Sequence, residues 1–157
     1  MQSKPWTLIS SKYLLLPRKN RWLKRTALIF AFILFDYLST LIFCRSPYEE
    51  ANLYARMFME NFGIPLGLTL FVLVINLPIY ITLSLDSHAI RLPSRTAMII
   101  EPFVDTMFAW FVAGLHFSGG ASWFWHGPSL MWQVFGAFLY LVIAFLFVKP
   151  HKPRYDN

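Results

Sequence analysis

The chain has 157 residues, 57% of them hydrophobic and 14% charged, with a mean hydropathy of +0.49. A soluble domain carries about 25% charged and about 45–50% apolar residues, so an ordinary soluble enzyme and a disordered tail are both excluded. The net charge of +6 is not a nucleic-acid signal, because the basic residues gather at the two ends and in one loop, as on the cytoplasmic side of a membrane protein. A single cysteine, Cys44, excludes an internal disulfide framework and a cysteine-based zinc site.

Residues 1–25 interleave Trp6, Leu8, Ile9, Tyr13 and the run Leu14 to Leu16 with Lys4, Lys12 and Arg18. Aromatic, aliphatic and long basic side chains in such a mixture suit the headgroup region, which predicts a basic amphipathic segment on the cytoplasmic face. Four apolar stretches follow, at 26–44, 62–84, 97–117 and 128–148. Each can cross about 30 Å of hydrocarbon at about 1.5 Å per helical residue, and none alternates with the period of a membrane β-strand. The first stretch lacks an A-x-A-like site after it, and the bulky Phe43 before Cys44 spoils a lipoprotein cleavage box, so it reads as a retained anchor.

Between the first two spans, Ser46, Pro47 and Glu49 carry the capping-box signature of a helix start. This predicts an outer-side helix over 47–61 that breaks near Gly63 and Pro65 and bends into the second span, which Pro78 should kink. The connection 118–128 has no charge and holds Trp123, Phe124 and Trp125, an aromatic belt at the outer boundary. Residues 149–157 form a basic tail.

Orientation follows from the basic residues. Lys4, Lys12, Arg18, Lys19, Arg21, Lys24 and Arg25 precede the first span, Arg91 and Arg95 lie in the second connection, and Lys149, Lys152 and Arg154 end the chain. The first connection has only Arg45 and Arg56, and the third has none. Both termini are therefore expected in the cytoplasm of a multi-pass cell-membrane protein.

The intramembrane polar residues are the most informative. Asp36 lies eleven residues after Arg25, Asp105 ten after Arg95, and Asn76 ten before Asp86. Measured from those charges at about 1.5 Å per residue, all three reach a similar depth near the bilayer centre. Glu101 shares a face with Asp105, and Thr40 with Asp36, by the i, i+4 rule. A carboxylate at a helix centre costs about 2.5–3.5 kcal/mol on insertion scales, and none of the four stretches contains a lysine or arginine to offset it. Three solutions are open. The carboxyls are protonated and hydrogen-bonded to Ser39, Thr40, Asn76 and Thr106 as glue between helices; they hold a proton or a hard cation; or they face a basic residue of a partner protein.

The connection itself offers a second set. On a helix starting at Pro47, Glu49, Asn52 and Arg56 would share a face, either solvated or turned inward toward Asp36 and Thr40. His116 follows Asp105 by eleven residues near the outer end of the third span, and His126 lies in the next loop. Two histidines and a carboxylate suit a transition metal, but the spacing matches no metal signature, and a boundary histidine bonded to a carbonyl is the plainer reading. His88 and His151 read as surface. No G-x-S-x-G, H-E-x-x-H, phosphate-cradling glycine loop or dinucleotide fingerprint is present, so no catalytic residue, metal site or cofactor is assigned.

The run Phe35-Asp36-Tyr37-Leu38-Ser39-Thr40, followed by Glu50-Ala51-Asn52 and Ala55-Arg56, resembles a functionally uncharacterised family of small prokaryotic four-helix membrane proteins. Their pattern is D-x-x-S-T in the first span and E-x-N-P before the second. Asp36, Ser39, Thr40, Glu50 and Asn52 match it, and Leu53 stands where proline is usual. The resemblance implies the same topology, and that the Asp-Ser-Thr and Glu-Asn elements form one site. It brings no reaction.

The sequence therefore predicts an all-α polytopic membrane protein with four transmembrane helices. Three functions fit: a non-catalytic structural or accessory component of a membrane assembly, a proton- or cation-binding carrier built on intramembrane carboxylates, and a membrane enzyme acting on lipid or another apolar substrate. The expected partners are the lipid bilayer and other membrane proteins or further copies of the chain, with no nucleic acid. Candidate binding residues are Asp36, Ser39, Thr40, Glu50, Asn52, Arg56, Asn76, Glu101, Asp105 and His116.

Overall fold

The computed structural model describes residues 20–89 and 94–148, and every regular element among them is helical. Helix α1 spans Asn20–Phe43, a 3-10 turn covers Pro47–Glu49, α2 spans Leu53–Phe62 and α3 spans Ile64–Ala89. Helix α4 covers Ser94–Phe108, a π-helical segment covers Ala109–Gly114, α5 covers Leu115–Ser122, and α6 covers Ser129–Phe147. The basic segment 1–19, residues 90–93 and the tail 149–157 lie outside the described residues.

Contacts between side chains fix the directions. Tyr37 meets Thr69 and Phe30 meets Tyr80, so α1 and α3 are antiparallel. Arg25 meets Asp105, Asp36 meets His116 and Thr40 meets Trp123, so α1 runs parallel to the α4–α5 run. Trp110 meets Gln133 and Ser118 meets Ser129, which makes α6 antiparallel to that run. The result is an up-down-up-down bundle.

Helical spacing builds its core. Ile29, Phe32 and Ile33 from α1, Ala109, Val112 and Ala113 from the π segment, and Ala137, Tyr140 and Ala144 from α6 are buried together. Each set repeats at three or four residues, which is one stripe of a helix. The alanines let the backbones approach closely, the usual means of packing helices that lipid already surrounds. Gly136 serves the same end, since a methyl there would overlap the Phe117 side chain.

Three helices are long and apolar enough to cross a membrane: Trp22–Phe43, Ile64–Ile81 and Ser129–Phe147. Only 17–33% of these windows is buried inside the bundle, so most of their apolar surface is left for lipid. The expected third span falls on α4, the π segment and α5, of which the longest single helix has 15 residues. Here the structure also changes two sequence expectations. Helix α5 continues to Ser122, so 118–122 is helix and not loop. Helix α1 begins at Asn20, so Lys24 and Arg25 are helical and not in a flanking segment, with Arg25 buried in the bundle and Lys24 exposed.

The helix expected between the first two spans also differs from its forecast. Ser46 makes no side-chain cap, and only a 3-10 turn follows it. The true start is Asn52, whose Oδ1 accepts from the backbone N–H groups of Tyr54 and Ala55, as an N-cap side chain should. Glu49 instead accepts from the Arg45 N–H and steadies the connection. The expected break at Gly63 is present. Its φ of 79° and ψ of 160° lie in a region that only glycine enters cheaply, and α2 folds back so tightly that Gly67 sits against the Phe58 carbonyl.

Candidate functional site

A cavity of about 480 Å³ opens at the end of the bundle that holds the α1–α2 connection. Helix α1 contributes Asp36, Tyr37 and Thr40, the connection contributes Glu49, Glu50 and Asn52, and α3 contributes Asn76. Its apolar wall comes from Phe71, Val72 and Ile75 of α3 and from Phe111 and Val112 of the π segment. His116, Gly119 and Ser122 of α5, with Trp123 just beyond, complete it.

Its centre of charge is an acid–base pair. His116 Nδ1 lies 2.8 Å from Asp36 Oδ2, with the two side chains 19% and 25% exposed. The neighbouring backbone makes room for the carboxylate. A methyl at Gly119, one turn after His116 on the same face of α5, would come within 2.5 Å of Asp36 Oδ1 and displace the carboxylate. The π segment ends immediately before α5; such wide turns recur at functional sites, where they reset which side chains face a neighbour. Because Nδ1 is engaged, Nε2 is the ring atom left to exchange a proton or meet a ligand.

Around this pair the polar groups are held in place. Thr40 Oγ1 accepts from Trp123 Nε1 at 3.0 Å, and the Tyr37 hydroxyl pairs with Thr69 Oγ1 at 3.0 Å. Glu50 Oε1 accepts from the Asn52 N–H at 2.8 Å, which ties the start of α2 to the cavity rim. Burial pushes the Glu50 carboxyl above its ordinary range; the Asn52 N–H and Arg56 pull it down, and the Asp36 charge adds to the rise. Asn76 is 4% exposed and donates from Nδ2 to the Val72 carbonyl, while its buried Oδ1 has no hydrogen-bond partner among the described residues. An orphaned buried acceptor costs about 1–3 kcal/mol, so Asn76 is held at some expense beside the cavity.

Of the residues singled out in the sequence, Asp36, Thr40, Glu50, Asn52, Asn76 and His116 share this cavity. Ser39 does not: it is buried, with its hydroxyl donating to the Phe35 carbonyl. Arg56 is half-buried and turns to its own connection, donating from Nε and Nη2 to the Glu50 carbonyl at 3.1 and 2.6 Å. Because Glu49 belongs to the separate 3-10 turn, the helical face expected for Glu49, Asn52 and Arg56 does not form. His116 bonds a carboxylate and not the carbonyl expected of a boundary histidine. His126 is exposed in the loop after α5. The Glu101 side chain lies outside the described residues.

Asp105 belongs elsewhere. Its Oδ2 accepts from Arg25 Nη2 at 2.7 Å, with side chains 4% exposed for Arg25 and 19% for Asp105. The Arg25 guanidinium also lies 5.1 Å from the centre of the Trp22 ring, a cation–π distance. Asp36 and Asp105 are therefore not at one depth. Along each helix the two contacts are eleven residues apart, Arg25 to Asp36 and Asp105 to His116, about 16 Å of helix. Measuring depth from Arg25 failed because Arg25 is itself inside the bundle, where it is the counter-ion that no stretch was expected to contain.

Sequence reasoning missed Arg25 as an internal base, Gly119 as a spacer and Trp123 as a hydrogen-bond donor. Gly119 had a readable signal, a glycine three residues after a histidine, hidden because 118–128 read as a loop. No group of three or more His, Cys, Asp or Glu side chains suited to a metal ion occurs among the described residues. Chemically, the arrangement can hold a proton between Asp36 and His116 and present further oxygen acceptors to an occupant of the cavity. Compared with protein-family models, curated proteins and solved structures, the chain matches none.

Proposed function

We propose that this chain is a proton-linked carrier: a four-span membrane protein, both termini cytoplasmic, that binds a small ligand in its outer cavity. Ligand binding is coupled to proton exchange at the Asp36–His116 pair. The observation that carries this reading is the 2.8 Å contact between His116 Nδ1 and Asp36 Oδ2 on the wall of a cavity between apolar helices. Ionisable groups within a membrane are costly and face an interior or aqueous space when they persist. Asp105 is neutralised by Arg25 and needs no ligand, whereas Asp36 shares its partner with an open cavity. Of the five polar residues that carry the family resemblance, Asp36, Thr40, Glu50 and Asn52 line that cavity and Ser39 does not.

A role as an accessory subunit draws only on the apolar outer faces of the helices, which lipid covers equally well. A lipid-directed enzyme would use His116 as its base, but the α5 hydroxyl that lines the cavity, Ser122, donates to the Gly119 carbonyl, and that of Ser118 donates to the Ser129 carbonyl. A bundle of this size is thin for a transport path, so the carrier works as a homo-oligomer.

The test is proton movement in proteoliposomes containing an internal pH dye, driven by a potassium diffusion potential. The wild-type chain should move protons well above the rate of protein-free liposomes, and Asp36→Asn should fall to that rate while eluting and folding normally. A wild-type rate equal to that of protein-free liposomes contradicts the reading.

A further inference from the structure

Resting on that reading of the cavity, we infer its ligand class: a protonated amine carrying an apolar, preferably aromatic, body. Four observations lead there. The first is charge. Asp36, Glu49 and Glu50 line the cavity, His116 is its basic group, and no lysine or arginine is among the lining residues. Arg56 is close by, but its guanidinium is committed to the Glu50 carbonyl. An anion would meet three carboxylates and only His116, which Asp36 already engages, and a buried unpaired charge is strongly disfavoured.

The second is the orphaned acceptor. Asn76 Oδ1 is buried without a partner, on the α3 wall facing a site whose carboxylates come from α1 and the connection. It calls for a hydrogen-bond donor. An ammonium head supplies three donors and accepts nothing, so it matches both the carboxylates and the amide oxygen; a quaternary ammonium would match only the charge.

The third is the wall. Phe71, Phe111 and Trp123 line the cavity with Val72 and Ile75. Aromatic faces attract a desolvated cation and at the same time bury an apolar body. The fourth is size. About 480 Å³ falls within the range of about 300–1,000 Å³ typical of small organic ligands. A bare hard cation such as calcium would need about six to eight oxygens around it at once, and no three acidic or histidine side chains gather in that way among the described residues.

The experiment uses the full chain in lipid nanodiscs, with three probes of one shape and different charge: 2-phenylethylamine, 2-phenylethanol and phenylacetate. Binding is read by calorimetry, with empty nanodiscs subtracted to remove partitioning into lipid. The amine should bind at least tenfold more tightly than the alcohol, and phenylacetate should not bind. Asp36→Asn and Asn76→Leu should each lower amine affinity at least tenfold and leave the alcohol within threefold. Equal binding of amine and alcohol, tighter binding of phenylacetate, or no binding of any probe overturns the inference. Proton flux without amine binding removes the ligand class and leaves the carrier reading standing. Amine binding without proton flux removes the carrier reading and keeps the ligand class.

Discussion

Asp36 and His116 meet at 2.8 Å across 80 residues of sequence, the same separation that brings Arg25 to Asp105 at 2.7 Å. Equal offsets mean that α1 and the α4–α5 run lie side by side and parallel, carrying two acid–base contacts three turns apart, with the carboxylate on opposite helices. The contacts differ in setting. Arg25 and Asp105 sit within the packed bundle, whereas Asp36 and His116 border the cavity. Arg25 should therefore matter for stability and Asp36 for function. Removing one partner of a buried pair costs about 3–5 kcal/mol, so Arg25→Ala should lower unfolding stability in detergent by about that much. Asp36→Asn keeps the shape and a hydrogen-bonding group, and should change stability by less than about 1 kcal/mol.

The α1–α2 connection gives a contrast between two neighbouring candidates for the same task. Asn52 caps α2, and Ser46 caps nothing. Asn52→Ala should cost about 0.5–2 kcal/mol and fray the start of α2, seen as faster amide exchange at Tyr54 and Ala55. Ser46→Ala should leave both exchange rates at their wild-type values.

Gly67 tests the close crossing of α2 over α3. A methyl group there would run into the Phe58 carbonyl and the Met59 Cα, which are backbone atoms and cannot rotate away. Gly67→Ala should cost about 1–3 kcal/mol by overpacking. The same change at Gly119 would press on a side chain, Asp36, so it should disturb proton movement more than unfolding.

Glu50 sets a pH dependence with a definite sign. Burial favours its neutral form, so the folded chain holds that proton above the ordinary pKa of 4.5. The groups facing it are Asp36, which adds to the rise, and Arg56, which opposes it. From pH 4.5 upward the folded state binds more protons than the unfolded one, and stability falls with rising pH until the folded pKa is passed. Glu50→Gln should remove that slope from a plot of unfolding stability against pH. A slope unchanged in the variant would assign it to another group.

The helical class and the positions of the apolar helices are legible in the sequence because hydropathy and helix length act locally. The stretches at 26–44, 62–84 and 128–148 overlay α1, α3 and α6, and the break at Gly63 follows from glycine's freedom alone. Boundaries set by tertiary contacts are not legible. Arg25 looks like a flanking cytoplasmic charge until Asp105 is seen beside it, and that error displaces the depth of every residue measured from it. Ser46 has the better capping signature, yet Asn52 is the cap, in a connection where Glu50 accepts from the Asn52 N–H and Arg56 donates to the Glu50 carbonyl. For the cavity, six of the ten residues singled out share it, since polar residues in and beside apolar stretches are themselves informative. The pairing of His116 with Asp36 depends on which helices are neighbours and in which direction, and one sequence does not contain that.

The central claim is that Asp36 and His116 act as one proton-exchanging unit, and a double-mutant cycle of proton flux tests it most directly. Asp36→Asn, His116→Gln and the double variant would be reconstituted at equal density and driven by the same potential. The account predicts that each single change abolishes flux and that the double variant is no worse than either, because groups acting as a unit are lost together. Losses that are partial and multiply in the double variant would make the two residues independent, and would contradict the claim.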